Sequence, residues 1–141
     1  LSNGPGDPSE NKVLIEEIKL LIQSKVPIFA ICLGHQLIAL AHQFHTKKLK
    51  YGHHGANHPV KDLNTGQVYI STQNHNFVIN EESIDSKKAR PWFINVNDGT
   101  IEGIEYLNEK IKTVQFHPEA CAGPMDTNYL FDQFVEMMEE K

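Results

Sequence analysis

Within an otherwise polar stretch, apolar residues recur at Leu14, Ile15, Ile18, Leu21 and Ile22. That spacing predicts an amphipathic helix over residues 9–25. Asp7 or Ser9 can cap it, Pro8 suits its first turn, and Pro27 prevents continuation. Ile28-Phe29-Ala30-Ile31 is a short unbroken apolar run, the pattern of a strand buried on both faces. Residues 34–44 then carry Leu37, Ile38, Leu40, Ala41 and Phe44, which predicts a second helix. Helix, buried strand, helix is the rhythm of an α/β sheet.

The texture changes after residue 47. Short segments at 49–51, 59–60 and 68–71 alternate with Gly, Asn and His, which predicts antiparallel ribbons. Residues 73–77, Gln-Asn-His-Asn-Phe, read as an amide-rich loop, and residues 83–90 as a mobile surface loop. Residues 101–104 and 111–116 flank a hairpin with Asn108 at its turn. Residues 126–140 close the chain with a helix. At the other end, Leu1-Ser2-Asn3-Gly4-Pro5-Gly6-Asp7-Pro8 is turn chemistry of the kind that joins a strand to a helix. Leu1 is read as the last residue of that strand, and the chain as part of a larger protein whose early strands are missing here.

With 141 residues, a single domain over 1–141 is expected. Thirteen basic against eighteen acidic residues give a net charge of −5. An acidic surface repels phosphate, so no nucleic-acid partner is expected. No apolar run approaches the ~20 residues needed to cross a bilayer, so no membrane partner is expected either. Cys32 and Cys121 form neither a disulfide framework nor a zinc-ligand spacing, which suits a reducing, cytoplasmic setting.

Ala30-Ile31-Cys32-Leu33-Gly34 places a cysteine where a buried strand turns into a helix. Hydrolases set a nucleophile on such a tight turn, flanked by small residues because the backbone doubles back. Unpaired N–H groups at the helix start favour the thiolate and offer a place for an oxyanion. A small buried hydrophobe is the alternative fate of a free cysteine; Cys121, with no strand before it and no helix opening on it, is assigned no role. A cysteine nucleophile needs a base, and the base an orienting group. His117-Pro118-Glu119 follows another buried segment and offers both. His53, His54 and His58 lie in a polar stretch without an acid among them and are read as a binding ribbon, away from the Cys32–His117 pair, with no metal expected. His42 and His45 sit at the end of the second helix, where a positive group suits the helix dipole.

Together the opening Gly4-Pro5-Gly6 loop, the Ile31-Cys32-Leu33-Gly34-His35-Gln36 elbow and the Phe116-His117-Pro118-Glu119 run resemble the class I (triad) glutamine amidotransferases, in the family's order. The 51–60, 73–77, 97–100 and 122–126 segments are similar to the branch that serves carbamoyl-phosphate synthetases. The resemblance implies a mixed or parallel sheet flanked by helices, with an antiparallel ribbon section. It implies hydrolysis of L-glutamine to glutamate and ammonia through a thioester, with Cys32 as nucleophile, His117 as base and Glu119 as its orienting carboxylate. It implies that Gly4, Gly6, Leu33, Gln36, Asn74, Asn76 and Phe77 contact glutamine, with the Leu33 N–H placed for the oxyanion. Asn76 stands where the family has glycine, and asparagine tolerates a left-handed backbone; Ala30 stands for the elbow glycine. The implied partner is a carbamoyl-phosphate synthetase large subunit, which would itself use ATP, bicarbonate and Mg; no cofactor is implied for this chain. Three other readings remain: the glutaminase of a different amidotransferase, a docking module without catalysis, and a γ-glutamyl hydrolase-like thiol peptidase, which would use the same triad but not need the 51–59 ribbon.

Overall fold

The computed structural model describes residues 1, 7–119 and 129–140. Among them, nine helices and strands follow in chain order: α1 (Lys12–Gln23), β1 (Ile28–Ile31), α2 (Leu33–Ala41), β2 (Thr46–Asp62), β3 (Val68–Ile79), β4 (Ala89–Asn95), β5 (Ile101–Tyr106), β6 (Ile111–Val114) and α3 (Tyr129–Glu139). The strands form one sheet in the order β1-β6-β5-β4-β2-β3. β1 and β6 run parallel, while the other neighbours are antiparallel. The expected mixed sheet is therefore present, with β2 and β3 as its long ribbon. No helix among the described residues is long and apolar enough to cross a membrane.

The unbroken apolar run of β1 is explained by two cores. Ile28 and Ala30 pack with Ile18, Leu37, Ile38 and Phe44 on the face covered by α1 and α2. Phe29 and Ile31 point the other way, against Phe93, Phe116, Leu130 and the flanking Phe131 and Phe134 of α3. Successive side chains of a strand alternate faces, so only an all-apolar sequence can serve a sheet with helices on both sides. α1 seats Ile15, Ile18 and Ile22 against the first core, while Leu14 and Leu21 of the predicted stripe remain exposed.

Other local expectations are met in part: α1 itself begins at Lys12 after Asn11, which makes no side-chain cap bond. Asp7 accepts from the Ser9 N–H at 2.9 Å and caps the short 3-10 turn before α1. His42 ends α2, bonds Ile38 O at 2.8 Å and reaches Glu109 on the β5–β6 hairpin at 2.9 Å. Leu1 lies beside β1 with strand-like bonds: its amino group donates to Phe29 O and its carbonyl accepts from the Ile31 N–H, both at 2.9 Å.

Two segments differ from expectation. Residues 83–90 are not a free loop throughout, because Ala89 begins β4, is 1% exposed, and pairs with Tyr106. Pro91 hides this strand in the sequence, but it sits where the β4–β5 register shifts, a place that tolerates a residue without an N–H. Residues 73–77 are not a loop but the centre of β3. Gln73 and His75 face inward while Asn74 and Asn76 face out, a period-2 alternation written in polar residues. The expected segment 111–116 ends as a strand at Val114.

Gly34, in the first turn of α2, is required by Leu1. A Cβ at position 34 would lie 2.8 Å from Leu1 O and 2.9 Å from Leu1 Cβ. In an ordinary helix, Gly→Ala stabilises by about 1 kcal/mol. Here the sign inverts: Gly34→Ala is expected to destabilise by roughly 1–3 kcal/mol through overpacking, seen as a lower urea midpoint in equilibrium denaturation.

Candidate active site

Cys32 stands between β1 and α2 with φ 53° and ψ −106°, a backbone conformation rarely adopted by a residue with a side chain. It is held from both sides. Its N–H donates to Val114 O at 2.9 Å, one residue past the last β1–β6 pair, Ile31 with Val114. Its carbonyl accepts from the Gln36 N–H at 3.1 Å and opens α2. The neighbouring Ala30 is wholly buried in the α1/α2 core, so the methyl in place of the usual elbow glycine is accommodated by packing.

The sulfur meets three groups. The Leu33 N–H is hydrogen-bonded to it. Gln115 Nε2 donates to it at 3.6 Å, and Sγ lies 3.9 Å from Asn74 O. The helix start was expected to favour the thiolate, but the net effect is the reverse. Burial comes first, and with the negative charges of Glu119 and Glu102 it outweighs the two donors and pushes the Cys32 thiol up to about 11. Cys32 is 3% exposed, and taking a thiolate out of water costs more than two hydrogen bonds return.

Three residues past Val114 comes His117. Its backbone N–H donates to Thr72 O at 2.9 Å, which ties the segment after β6 to β3. Its Nδ1–H donates to Glu119 Oε1 at 2.7 Å. A carboxylate can only accept, so this bond assigns the proton to Nδ1 and leaves the lone pair on Nε2. Nε2 is buried and has no hydrogen-bond partner among the described residues. Cys32 and His117 thus follow the carboxyl ends of two adjacent parallel strands, the place where open α/β sheets bind ligands.

The remaining expected residues fall into distinct settings. Gln36 is buried on the first turns of α2, donating to Phe77 O at 2.8 Å and to Gln115 Oε1 at 3.0 Å. Phe77 therefore enters through its carbonyl. Asn74 turns its backbone oxygen toward Cys32 and its side chain toward His54 Nδ1, 2.9 Å away. Asn76 bonds His54 Nε2 at 3.1 Å. The backbone at Asn76 is not left-handed; the positive φ in this ribbon belongs to Gly52 and Gly55. A Cβ on Gly52 would lie 2.7 Å from His75 O, so glycine lets β2 pass close to β3 there. His54 bonds the side chains of both asparagines. Gly4, Gly6 and Cys121 lie outside the described residues.

Gln115 was missed by sequence reasoning. It is wholly buried and joins Gln36 to the Cys32 sulfur. Its one signal was a polar residue in an apolar strand end, Thr113-Val114-Gln115-Phe116. Behind it lies a buried polar cluster, also unforeseen. Gln73 donates to Glu102 Oε2 at 2.7 Å, and its Oε1 lies 2.7 Å from His75 Nε2. His75 Nδ1–H donates to Phe77 O at 2.9 Å. His53 Nε2–H donates to Asp98 Oδ2 at 2.7 Å. His53 Nδ1 stands 3.3 Å from both His75 Nε2 and Glu102 Oε1. Burial opposes a charge on His53, but Glu102 and Asp98 outweigh it and bring the imidazole up to about 9. Burial keeps His75 and His35 neutral, each down to about 3.

The glutamine amidotransferase class-I family model matches residues 1–137, and the chain belongs to that family. Among curated relatives, it is 52% identical over 141 residues to the carbamoyl phosphate synthase small chain of Listeria innocua, covering all of this chain and 39% of that one. It is 51% identical over 140 residues to the small chain of Bacillus caldolyticus, covering 99% of this chain and 38% of that one. It therefore spans about two fifths of the length of these relatives. The fold is shared with a GMP synthase-type protein from Thermoplasma acidophilum (TM-score 0.82, 22% identity, 98% of this chain and 70% of that one). A glutamine amidotransferase from Thermotoga maritima shares it too (TM-score 0.71, 18% identity, 98% and 64%).

The thiol's environment gives a direct test. Alkylation of Cys32 in the ligand-free protein is expected to follow a titration near 11, above the ~8.5 of a free thiol. Gln115→Leu, which removes a donor to the sulfur, should raise that midpoint further. A linked effect follows on stability. The folded thiol holds its proton more tightly than the unfolded one, so stability is full below the ordinary value of 9.0 and falls as pH rises from there toward about 11. Cys32→Ala should remove that part of the alkaline slope.

Proposed function

We propose that this domain hydrolyses the side-chain amide of L-glutamine, in the cytoplasm, and passes the ammonia to a carbamoyl-phosphate synthetase large subunit. The observation that carries the chemistry is the juxtaposition at the β1/β6 carboxyl ends: a cysteine on a positive-φ turn, and a histidine whose Nδ1–H is taken by Glu119 while Nε2 is left unbonded. The names of relatives about 50% identical over the whole chain support the choice of synthetase.

In this reading, His117 Nε2 takes the Cys32 proton as the sulfur attacks the amide carbon. Glu119 holds the ring in the required tautomer and stabilises the imidazolium. The oxygen of the tetrahedral adduct sits against the Leu33 N–H, which already points at the sulfur's position. His117 returns its proton to the leaving nitrogen, and ammonia departs. Water, deprotonated by the same nitrogen, then attacks the thioester; glutamate leaves and Cys32 regains its proton. Gln36, Asn74, Asn76 and the Phe77 carbonyl line the substrate's amino-acid end, with Gly4 and Gly6 as backbone contacts.

A thiol pushed up to about 11 suits a glutaminase that is slow until engaged. The glutaminase rate of the full-length small subunit should rise on adding the large subunit with ATP, bicarbonate and Mg. Cys32→Ser is expected to lower it by about 10³-fold or more, and His117→Asn with Glu119→Gln should cost far less than the product of the single losses, because the two act as a unit. Glutamine hydrolysis unchanged in Cys32→Ser would refute the reading.

A further inference from the structure

The buried cluster behind the candidate active site has a surplus of acceptors. His75 donates its Nδ1–H to Phe77 O and His53 its Nε2–H to Asp98, so His75 Nε2 and His53 Nδ1 are the ring nitrogens turned into the cluster; the carboxylates of Glu102 and Asp98 hold a proton on His53 Nδ1, and a cation bound there would take that proton's place. The two nitrogens face each other at 3.3 Å. Glu102 Oε1 lies 3.3 Å from His53 Nδ1 and is fully buried, with the side chains of His53 and Asn95 as the partners of its carboxyl. Gln73 Oε1 stands 2.7 Å from His75 Nε2 and is an acceptor as well, because its amide nitrogen is occupied by Ser71 and Glu102. Four potential ligand atoms thus converge, and the 2.7 Å approach of His75 Nε2 to Gln73 Oε1 sets two acceptors against each other.

From this we propose that His53 Nδ1, His75 Nε2 and Glu102 Oε1 bind a divalent first-row transition metal, zinc foremost, with Gln73 Oε1 or a water in the fourth position. The three donor atoms lie within 4.8 Å of one another. A tetrahedral ion with bonds of ~2.0–2.1 Å sets neighbouring ligand atoms about 3.3 Å apart, matching the two 3.3 Å separations. That length is long for a hydrogen bond. The outer contacts have the form that metal-bound histidines use: one ring N–H on a carboxylate, the other on a backbone carbonyl. Imidazole and carboxylate donors suit zinc or cobalt rather than magnesium or calcium.

The ligands come from β2, β3 and β5, so the ion would staple the ribbon to the centre of the sheet. It would act on the neighbouring chemistry through two contacts: the Phe77 carbonyl, shared by His75 and Gln36, and the charge of Glu102, which otherwise opposes the Cys32 thiolate. The site does not depend on glutamine being the substrate.

The test uses the full-length small subunit, stripped with a chelator and titrated with Co²⁺. One equivalent should remain through gel filtration, with the visible absorption of a four-coordinate N/O site, and Zn²⁺ should displace it. Cys32→Ser should bind unchanged, which separates this site from the thiol. Glu102→Gln should abolish retention. Should that variant fail to fold by circular dichroism, the surface-facing Asp98→Asn should weaken binding by about 10–100-fold. Wild-type protein that retains no metal overturns the proposal. So does binding that persists unaltered in Glu102→Gln and Asp98→Asn, or that disappears in Cys32→Ser.

Discussion

The parallel pairing of β1 with β6 is the constraint on which the rest depends. Its last bond, from the Cys32 N–H to Val114 O, holds a strained residue at the end of one strand and delivers the chain toward His117 at the end of the other. Neither strand is long: each has four residues. Four residues suffice because both faces are covered. Phe29 and Ile31 are packed by α3 residues, while Ile28 and Ala30 are packed by α1 and α2. The left-handed backbone at Cys32 costs of order 1–3 kcal/mol, tolerable only where surrounding structure over-determines it. The 2.9 Å bond to Val114 O, the α2 turn and the close seat of Leu1 against Gly34 supply that.

Around this pair the molecule places amides rather than charges. Gln36, Gln115 and Gln73 are all buried, and each bridges two or more partners. A neutral amide supplies a donor and an acceptor without the desolvation cost of an ion. Where charges do occur, they are grouped: Asp98 and Glu102 bracket His53. The thiol rests buried beside neutral donors and within reach of two carboxylates; burial first, and those charges second, keep it protonated despite its place at a helix start.

What was legible in the sequence was local. The α1 stripe, the β1 run, the Cys32 elbow and the His117–Glu119 pair depend on neighbours within a few positions, and the chain brings them where expected. The missed features are long-range. β4 was obscured by Pro91, whose acceptance depends on a bulge opposite β5. Residues 73–77 have the alternation of a strand, but their inward members are Gln73 and His75. These are stable inside only because Glu102, 29 positions beyond Gln73, meets them. Gln115 likewise needs Gln36 to be buried at a distance of 79 positions. The lowered thiol expected from the helix start failed because burial, which only the assembled fold imposes, opposes the thiolate most, with the charges of Glu119 and Glu102 adding to it.

Residues 73–77 of β3 serve two unrelated tasks on opposite faces. Asn74 and Asn76 face out with His54, and Gln73 and His75 face in with Glu102. A shift of strand register by one residue exchanges the two faces completely. Length is therefore a stricter constraint on this strand than composition. A polar side chain can be traded for another of similar reach, but one residue added or removed between 71 and 77 swaps the outward-facing set for the buried set. The turn at residues 63–67, which joins β2 to β3 in solvent, can absorb such a change. Natural variation in chain length among related proteins should accordingly gather in that turn and leave the strand untouched.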